Sequence, residues 1–582
     1  MAKAKFNSPL ASRSTHDLGY QFIGSSDFGR ITPFFCKELI PTDHFSIRTS
    51  AFVRMLPLVV PTFGQADLQV HFAFVPSRML CDGFNDILTG KGKYASSKLP
   101  SMNAVNFRGL SVGFSSDTDP LTGHSPRHDF YCQLTGFGLP NPEYFISGCP
   151  NISMLPFRAY QRFWWDFFRD PELIPDSEID NYLLTIAGND PVGSTRQKFY
   201  STRYRTFRST WLSSLYKSSG IPNDSQLEIG NMQIKLRQSL QELGGLLQVQ
   251  MDDADGPRMA MPEFDSLTSL VLDVSGTFTG NDGQPTYVGA LFNTSARGQR
   301  VAEACTRLRE RCNAAQKRVI DQIEAIYGKI SQWLILNRVQ YLGGSSTPIQ
   351  ISDVTSTADT FGTDTGASLG AQAGKGIAAS RGDKIEYTAD EHGYIIGVYS
   401  IMPRQNFCQG IPKEFVRNVA SDIFTKDFEH IGFMPVQNVE VYVPETKAFS
   451  SDYSVNGVFG YTEPYYEYKR STDILQGDMR GFTMSDINAG GIYASYNLYR
   501  LINAGLDSGS AIDFNQAFFS VGNLQFNRIF EFGGTQSANQ DHFFVNFDVK
   551  CTANRPMDGF AVPTLETQEQ PHAKTTTIKT RE

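Results

Sequence analysis

A chain of 582 residues, 40% of them apolar, has room for several ordinary domains or for one β-sandwich enlarged by insertions. Its net charge of −8 excludes a protein that coats DNA over its whole surface. No apolar run reaches the ~18–20 residues of a membrane-spanning helix, so no membrane insertion is expected. Charged residues are only 19% of the chain, beside 44 Phe and 24 Tyr. Such a chain must hide much of its surface, either against other subunits or inside a large, well-packed monomer.

Residues 1–30 are polar and Ser/Gly-rich and read as an extended N-terminal arm. Lys3, Lys5 and Arg13 lie within its first fifteen positions without an acidic residue, a basic end that can touch phosphate or simply be solvated. The basic start is not followed by the apolar stretch of a secretory signal. From Ile31 to Arg78 short strands are expected, the clearest over Ala66–Pro76, where Leu68, Val70, Phe72 and Phe74 alternate with polar or small residues. Prolines at 33, 41, 57, 61 and 76 exclude long helices there. Residues 90–153, rich in Gly, Ser, Pro and Asn, are expected to be a loop excursion. A buried helix is expected over Leu155–Asp170, where Phe157, Tyr160, Trp164 and Phe167 recur at spacings of three and four.

Residues 217–298 form the most distinctive insertion. It holds a possible helix near Met232–Leu243 and an acidic turn at Asp252, Asp253 and Asp255. Val301–Leu336 is strongly helical by periodicity, and 353–383, almost free of apolar side chains, reads as a mobile loop. Strands are expected again at Gly393–Met402 and Asn438–Val443. β and loop then continue to about Ala561, ahead of a polar tail. The tail is mildly basic, with Lys574, Lys579 and Arg581 against Glu582 in the last eleven residues. No fixed-period repeat occurs, which argues against solenoids and propellers.

The chain carries no complete catalytic motif. Gly370–Gly376 is one residue short of a phosphate-binding loop and lacks its hydroxyl residue, and no G-x-S-x-G elbow occurs. His124, His128 and Cys132 have the spacing of metal ligands, but Pro126 is expected to keep a helix from aligning them. Cys305 and Cys312 fall on a core face, and the eight cysteines suit buried thiols of a reducing compartment. The Asp252–Asp255 run lacks the glycine and glutamate of a calcium loop. Tyr200, Arg203, Tyr204, Arg205, Phe207, Arg208 and Trp211 interleave bases with aromatics; such a run can stack DNA bases and pair phosphates, or can bridge subunits. Arg203, Arg205 and Arg208 are therefore the internal DNA-contact candidates. No catalytic, metal or cofactor site is expected.

Several blocks together resemble the major capsid proteins of microviruses, most of all the gokushovirus-like branch. They are DFGRITPFFCKELIPTDHF (27–45), RMLPLVVP followed by VHFAFVPSRML (70–80), LPFRAYQRFWWDFFRD (155–170), QYLGGSSTPIQISDV (340–354), GYIIGVYSIMPRQNFCQGI (393–411), VFGYTEPYYEYKRSTDILQGDMR (458–480) and ANRPMDGFAVPTL (553–565). They occur in the family's order and span nearly the whole chain. Thr42 stands where that family usually has glycine, and its tryptophan-rich block before the C-terminal region is absent.

The resemblance implies a mainly β fold, an eight-stranded viral jelly roll with long loop and helical insertions. It implies one capsid domain over 31–565 and a polar tail at 566–582. The implied function is an icosahedral homo-oligomer of about sixty copies around circular single-stranded DNA, made in the bacterial host cytoplasm and residing in the virion. A small basic DNA-binding virion protein and a host cell-surface receptor are the implied partners, with no cofactor. By position, 217–298 corresponds to an outer three-fold protrusion, which makes Asp252, Asp253 and Asp255 host-contact candidates.

Two rivals remain from the residues alone. A receptor-binding spike would show repeated shaft-like segments, and none occurs. A β-sandwich glycosidase would need a positioned carboxylate pair, and nothing singles out Glu463, Glu467 or Asp473.

Overall fold

The computed structural model describes residues 13–58, 65–115, 125–171, 173–205, 338–355, 372–403, 410–417, 422–426, 434–441, 457–469 and 541–557, with short pieces at 249–251, 258–260, 278–279, 285–286, 429, 443, 471, 474 and 530. By internal contacts the chain divides into two compact units. One is Ser219–Ala315 with Ala325–Tyr327; the other is the remainder. The smaller unit contains two short antiparallel pairs, Val249–Met251 with Arg258–Ala260 and Phe278–Thr279 with Pro285–Thr286.

The larger unit is built on an antiparallel sheet of ten strands among the described residues. They are β1 (Ser14–Asp17), β2 (Tyr20–Ser26), β3 (Thr32–Leu39), β4 (His44–Met55), β5 (Ala66–Pro76), β6 (Gln340–Thr355), β7 (Gln372–Arg381), β8 (Ile385–Thr388), β9 (Gly393–Pro403) and β10 (Phe543–Arg555). One half runs β10–β4–β7, with β1 and β2 on the free side of β10 and β8 on β4. The other half runs β6–β5–β9–β3. The strand β6 joins the halves: residues 340–349 pair with β5, and residues 350–355 pair with β7. Gly344 sits where β6 hugs β5, and a Cβ there would lie 2.2 Å from the Val70 carbonyl oxygen.

The curled sheet closes on itself as a jelly-roll sandwich. Phe34 of β3 stacks on Phe547 of β10 with ring centroids 4.4 Å apart, although the two strands belong to opposite halves. Around them pack Phe45, Ile47 and Val53 of β4, Leu68, Val70 and Phe72 of β5, and Tyr399 and Ile401 of β9. These are the alternate residues of each strand, as the period of two requires.

β9 is buried along its whole length. Its continuous apolar run is that of a strand covered on both faces. The second cover is a helical layer led by α4 (Leu155–Phe163), which ends in a π turn at Trp164–Phe168. Ala159, Phe163, Trp164 and Trp165 pack against Ala73, Val75, Ile396 and Val398.

The sequence expectations need five corrections. Residues 13–30, expected within an extended arm outside the jelly roll, join its sheet, since β1 and β2 pair with β10 and Asp27–Arg30 are fully buried. The 90–153 excursion is helical, with α2 at Ala104–Val112 and α3 at Pro126–Gly136 around Phe107, Leu110, Phe130 and Leu134. Within 353–383, residues 372–381 are strand β7. Its small residues fit because Gly376 lies against Met55, whose Cε would be 2.6 Å from an added Cβ. Asn438–Val441 is a helical turn, and the strand there is Met434–Gln437, paired with Val458–Thr462. Pro126 starts α3 rather than blocking it: proline is at home in the first turn, and Ser125 caps it by accepting from the His128 N–H at 3.2 Å.

Met232–Leu243 and Val301–Leu336 lie outside the described residues. Thr42 has φ 74°, the left-handed region in which glycine is unstrained. A threonine there costs about 1–3 kcal/mol, a strain that the glycine expected from the resemblance would not carry.

Candidate nucleic-acid interface

The arginines of the predicted basic–aromatic run turn inward where the run is described, although Tyr200 is exposed. Arg203 is buried beside Asp129 (3.7 Å), with its guanidinium 3.8 Å from the Tyr200 ring centroid. Arg205 donates to Ser400 Oγ at 3.0 Å and to Gln69, and lies 5.0 Å from the Phe168 ring. Burial lowers its pKa to about 10, and it helps to push the neighbouring His71, itself lowered first by burial, down to about 4. Arg205 thus holds the helical layer to the sheet, while Arg203 ties the 200–204 segment to α3. Lys3, Lys5, Arg208, Asp252, Asp253 and Asp255 lie outside the described residues. Arg13 is exposed at the edge of the sheet and donates to Asn554 Oδ1 at 3.3 Å.

A different surface combines bases with exposed aromatics. On the side of β2, β10, β4 and β7 that faces away from the core, the register aligns Ser25, Phe544, Arg54 and Ile377 in one row. Ile23, Asn546, Phe52 and Ala379 make the next. Asp548, Ser50 and Arg381 follow, then Lys550 and Arg48. Phe52 is 37% exposed, Phe544 52% and Ile23 75%, and Arg54 lies over the Phe52 ring at 5.2 Å. With Lys375 two positions before Ile377, the face carries Arg48, Arg54, Arg381, Lys375 and Lys550 around its aromatics against Asp548. Glu386 and Asp17 stand further along it. The sequence could not reveal this patch, because its residues are separated by up to some five hundred positions and only the pairing register unites them.

Beneath the sheet's end lies a buried polar junction. Arg30, fully buried, places its two Nη atoms each 2.7 Å from an Asp541 oxygen, and lies 3.6 Å from Asp129. His128 Nε2 is 3.1 Å from Asp541 Oδ1, and Tyr204 donates to Asp129 at 3.0 Å. His542 Nδ1 sits 2.8 Å from Asp27 Oδ2. Burial alone would raise the Asp541 pKa; the Arg30 guanidinium outweighs it and holds the carboxyl well below the usual carboxylate range. The junction ties the N-terminal strand region, α3, the 203–204 segment and β10 together.

The family blocks have similar tasks. Arg158 pairs with Asp190 and donates to the Leu80 carbonyl at 2.8 Å; Tyr160 donates to the Thr202 carbonyl at 2.9 Å. Glu463 and Glu467 are engaged by Lys469 (3.2 Å) and Arg417 (2.9 Å), and Asp473 lies outside the described residues.

The capsid protein (F protein) family matches residues 4–106 and 137–565 of this chain. The chain belongs to this phage capsid family. It is 24% identical over 498 residues to capsid protein VP1 of Bdellovibrio phage phiMH2K, covering 82% of each chain. It is 23% identical over 616 residues to capsid protein VP1 of Chlamydia phage 1, covering 95% of this chain and 96% of that one. The expected microvirus membership, on the gokushovirus-like branch, therefore holds. This capsid protein is a structural subunit of the virion that assembles with its own copies, and it is not an enzyme. Among the described residues no helix is long and apolar enough to cross a membrane.

Proposed function

We propose that the capsid protein closes a T=1 icosahedral shell of about sixty copies around single-stranded DNA, with the outer face of β2–β10–β4–β7 turned toward the genome. The supporting observation is the pairing of exposed Phe52 and Phe544 with Arg48, Arg54, Arg381, Lys375 and Lys550 on one sheet face. Aromatic side chains stack on bases of any sequence, each worth about 1–3 kcal/mol, while the cations follow the phosphates. Arg13 adds a cation at the sheet edge, and Lys3 and Lys5 precede it in the sequence. The overall charge of −8 leaves most neutralisation to a small basic virion protein made in the same host cytoplasm.

Filter binding of a single-stranded oligonucleotide to purified subunits tests this reading. Phe52→Ala/Phe544→Ala is expected to weaken binding about tenfold or more. Arg54→Gln/Lys550→Gln is expected to reduce the salt dependence by about 0.7 per charge removed. Unchanged affinity and salt slope in both variants would refute the assignment of this face.

We further propose that residues 217–298, with Asp252, Asp253 and Asp255, form an outer protrusion at the three-fold axes that meets a host receptor, a reading supported by their place in the sequence resemblance. Deleting 220–297 is expected to leave closed shells that no longer attach to host cells; shells that still attach would sink the idea.

A further inference from the structure

We propose that His128, Cys132 and Asp541 form a zinc site that clasps helix α3 to the start of strand β10. His128 and Cys132 lie four residues apart on α3, hence on one helix face, a spacing that suits two ligands of one metal. Both face Asp541, which lies two residues ahead of β10. His128 Nε2 is 3.1 Å from Asp541 Oδ1, Cys132 Sγ is 3.6 Å from His128 Nε2, and the same sulfur is 3.9 Å from Asp541 Oδ2. A tetrahedral zinc with bonds of about 2.0–2.3 Å spaces its ligand atoms about 3.3–3.8 Å apart. The triangle is therefore close to its coordinated size, and small side-chain shifts would admit the ion.

The chemistry of the donors selects the metal. A thiolate and an imidazole favour zinc over magnesium or calcium, which want oxygen alone. On binding, the Cys132 thiol gives its proton to solvent, and the proton that His128 Nε2 shares with Asp541 leaves that nitrogen, so the imidazole coordinates neutral with its proton on Nδ1; no electron is transferred. Arg30 does not exclude the ion. A carboxylate has about four lone-pair sites; the Arg30 fork takes one on each oxygen, Ser25 Oγ–H takes a second on Oδ2, and the remaining site on Oδ1 is the one that meets His128 of α3. Arg30 then serves as the outer partner that fixes the orientation of the ligating carboxylate.

Charge also balances. Arg30 and Arg203 offset Asp541 and Asp129, so zinc with the Cys132 thiolate adds one net positive charge. A hydroxide or chloride at the fourth corner neutralises it, and the His128 side chain, 23% exposed, leaves that corner open to solvent.

The site differs from the sheet face proposed to meet DNA and has a structural role, linking two segments more than four hundred residues apart in sequence. The test uses full-length capsid protein without a polyhistidine tag, incubated with zinc, desalted, and assayed by plasma mass spectrometry. About one zinc per chain is expected, falling tenfold or more in Cys132→Ser and His128→Gln and unchanged in Cys81→Ser. Cobalt-loaded wild-type protein should show a thiolate-to-cobalt charge-transfer band that Cys132→Ser lacks. This spectrum reads ligation directly, so it stands even if a variant folds poorly. A wild-type protein that binds no zinc and gives no thiolate band, or metal binding that survives in Cys132→Ser, would overturn the proposal and leave the three side chains as hydrogen-bond partners only.

Discussion

Arg30→Met is expected to destabilise the capsid protein by about 3–5 kcal/mol, the usual cost of breaking a buried ion pair by removing one partner. Arg30 is fully buried and its fork covers both oxygens of Asp541, with Asp129 3.6 Å away. Methionine fills similar volume, so the loss comes from the Asp541 carboxylate left in a low-dielectric interior without its guanidinium, while Asp129 keeps Arg203. The partner variant Asp541→Asn should lose a comparable amount. The double variant should recover part of it, because no unpaired charge then remains at Asp541. Urea unfolding of the three proteins gives the coupling energy directly. A loss under about 1 kcal/mol for Arg30→Met would show that water reaches the junction and that the pair behaves as a surface salt bridge.

Phe34→Ala is the second large effect, an expected loss of about 3–5 kcal/mol from a cavity in a core that relaxes little. Phe34 is 1% exposed and stacks on Phe547 at 4.4 Å, with Phe72 at 5.6 Å and Tyr399 at 6.0 Å in edge-on contact. It therefore joins both halves of the sandwich, and its removal should lower shell yield as well as the unfolding midpoint. Phe52→Ala, on the opposite face of the sheet, should change stability by no more than about 0.5 kcal/mol. Equal losses in the two variants would contradict the assignment of inner and outer faces on which the nucleic-acid interface depends.

The strand over Ala66–Pro76 was legible because alternation betrays a half-buried strand. The expected run over Ala66–Pro76 matches β5 residue for residue, and Gly393–Met402 falls one residue short of β9. α3 and β7 were not legible. α3 buries Asp129 and Gln133 on its inner face, so its polar composition hid a packed helix. β7 puts small residues, Gly376, Ala378 and Ser380, on its inward face, where Met55 crowds Gly376, and small residues in alternation resemble a loop when no neighbour is visible.

The candidate site divides in the same way. Tyr200, Arg203, Tyr204 and Arg205 looked like a stacking platform, yet the fold turns both arginines inward to pair with Asp129, Gln69 and Ser400. The patch that does expose aromatics beside cations draws on β2, β4, β7 and β10.

Family and class were determined by the sequence alone, because ordered blocks of turn prolines, strand alternation and the LPFRAY helix start are local patterns that survive without coordinates. Only the tertiary structure decided which basic residues face solvent, and that His128, Cys132 and Asp541 meet. The physical reason is that burial and ligand geometry depend on strand register and helix packing between distant segments, and neither leaves a periodic mark along the chain.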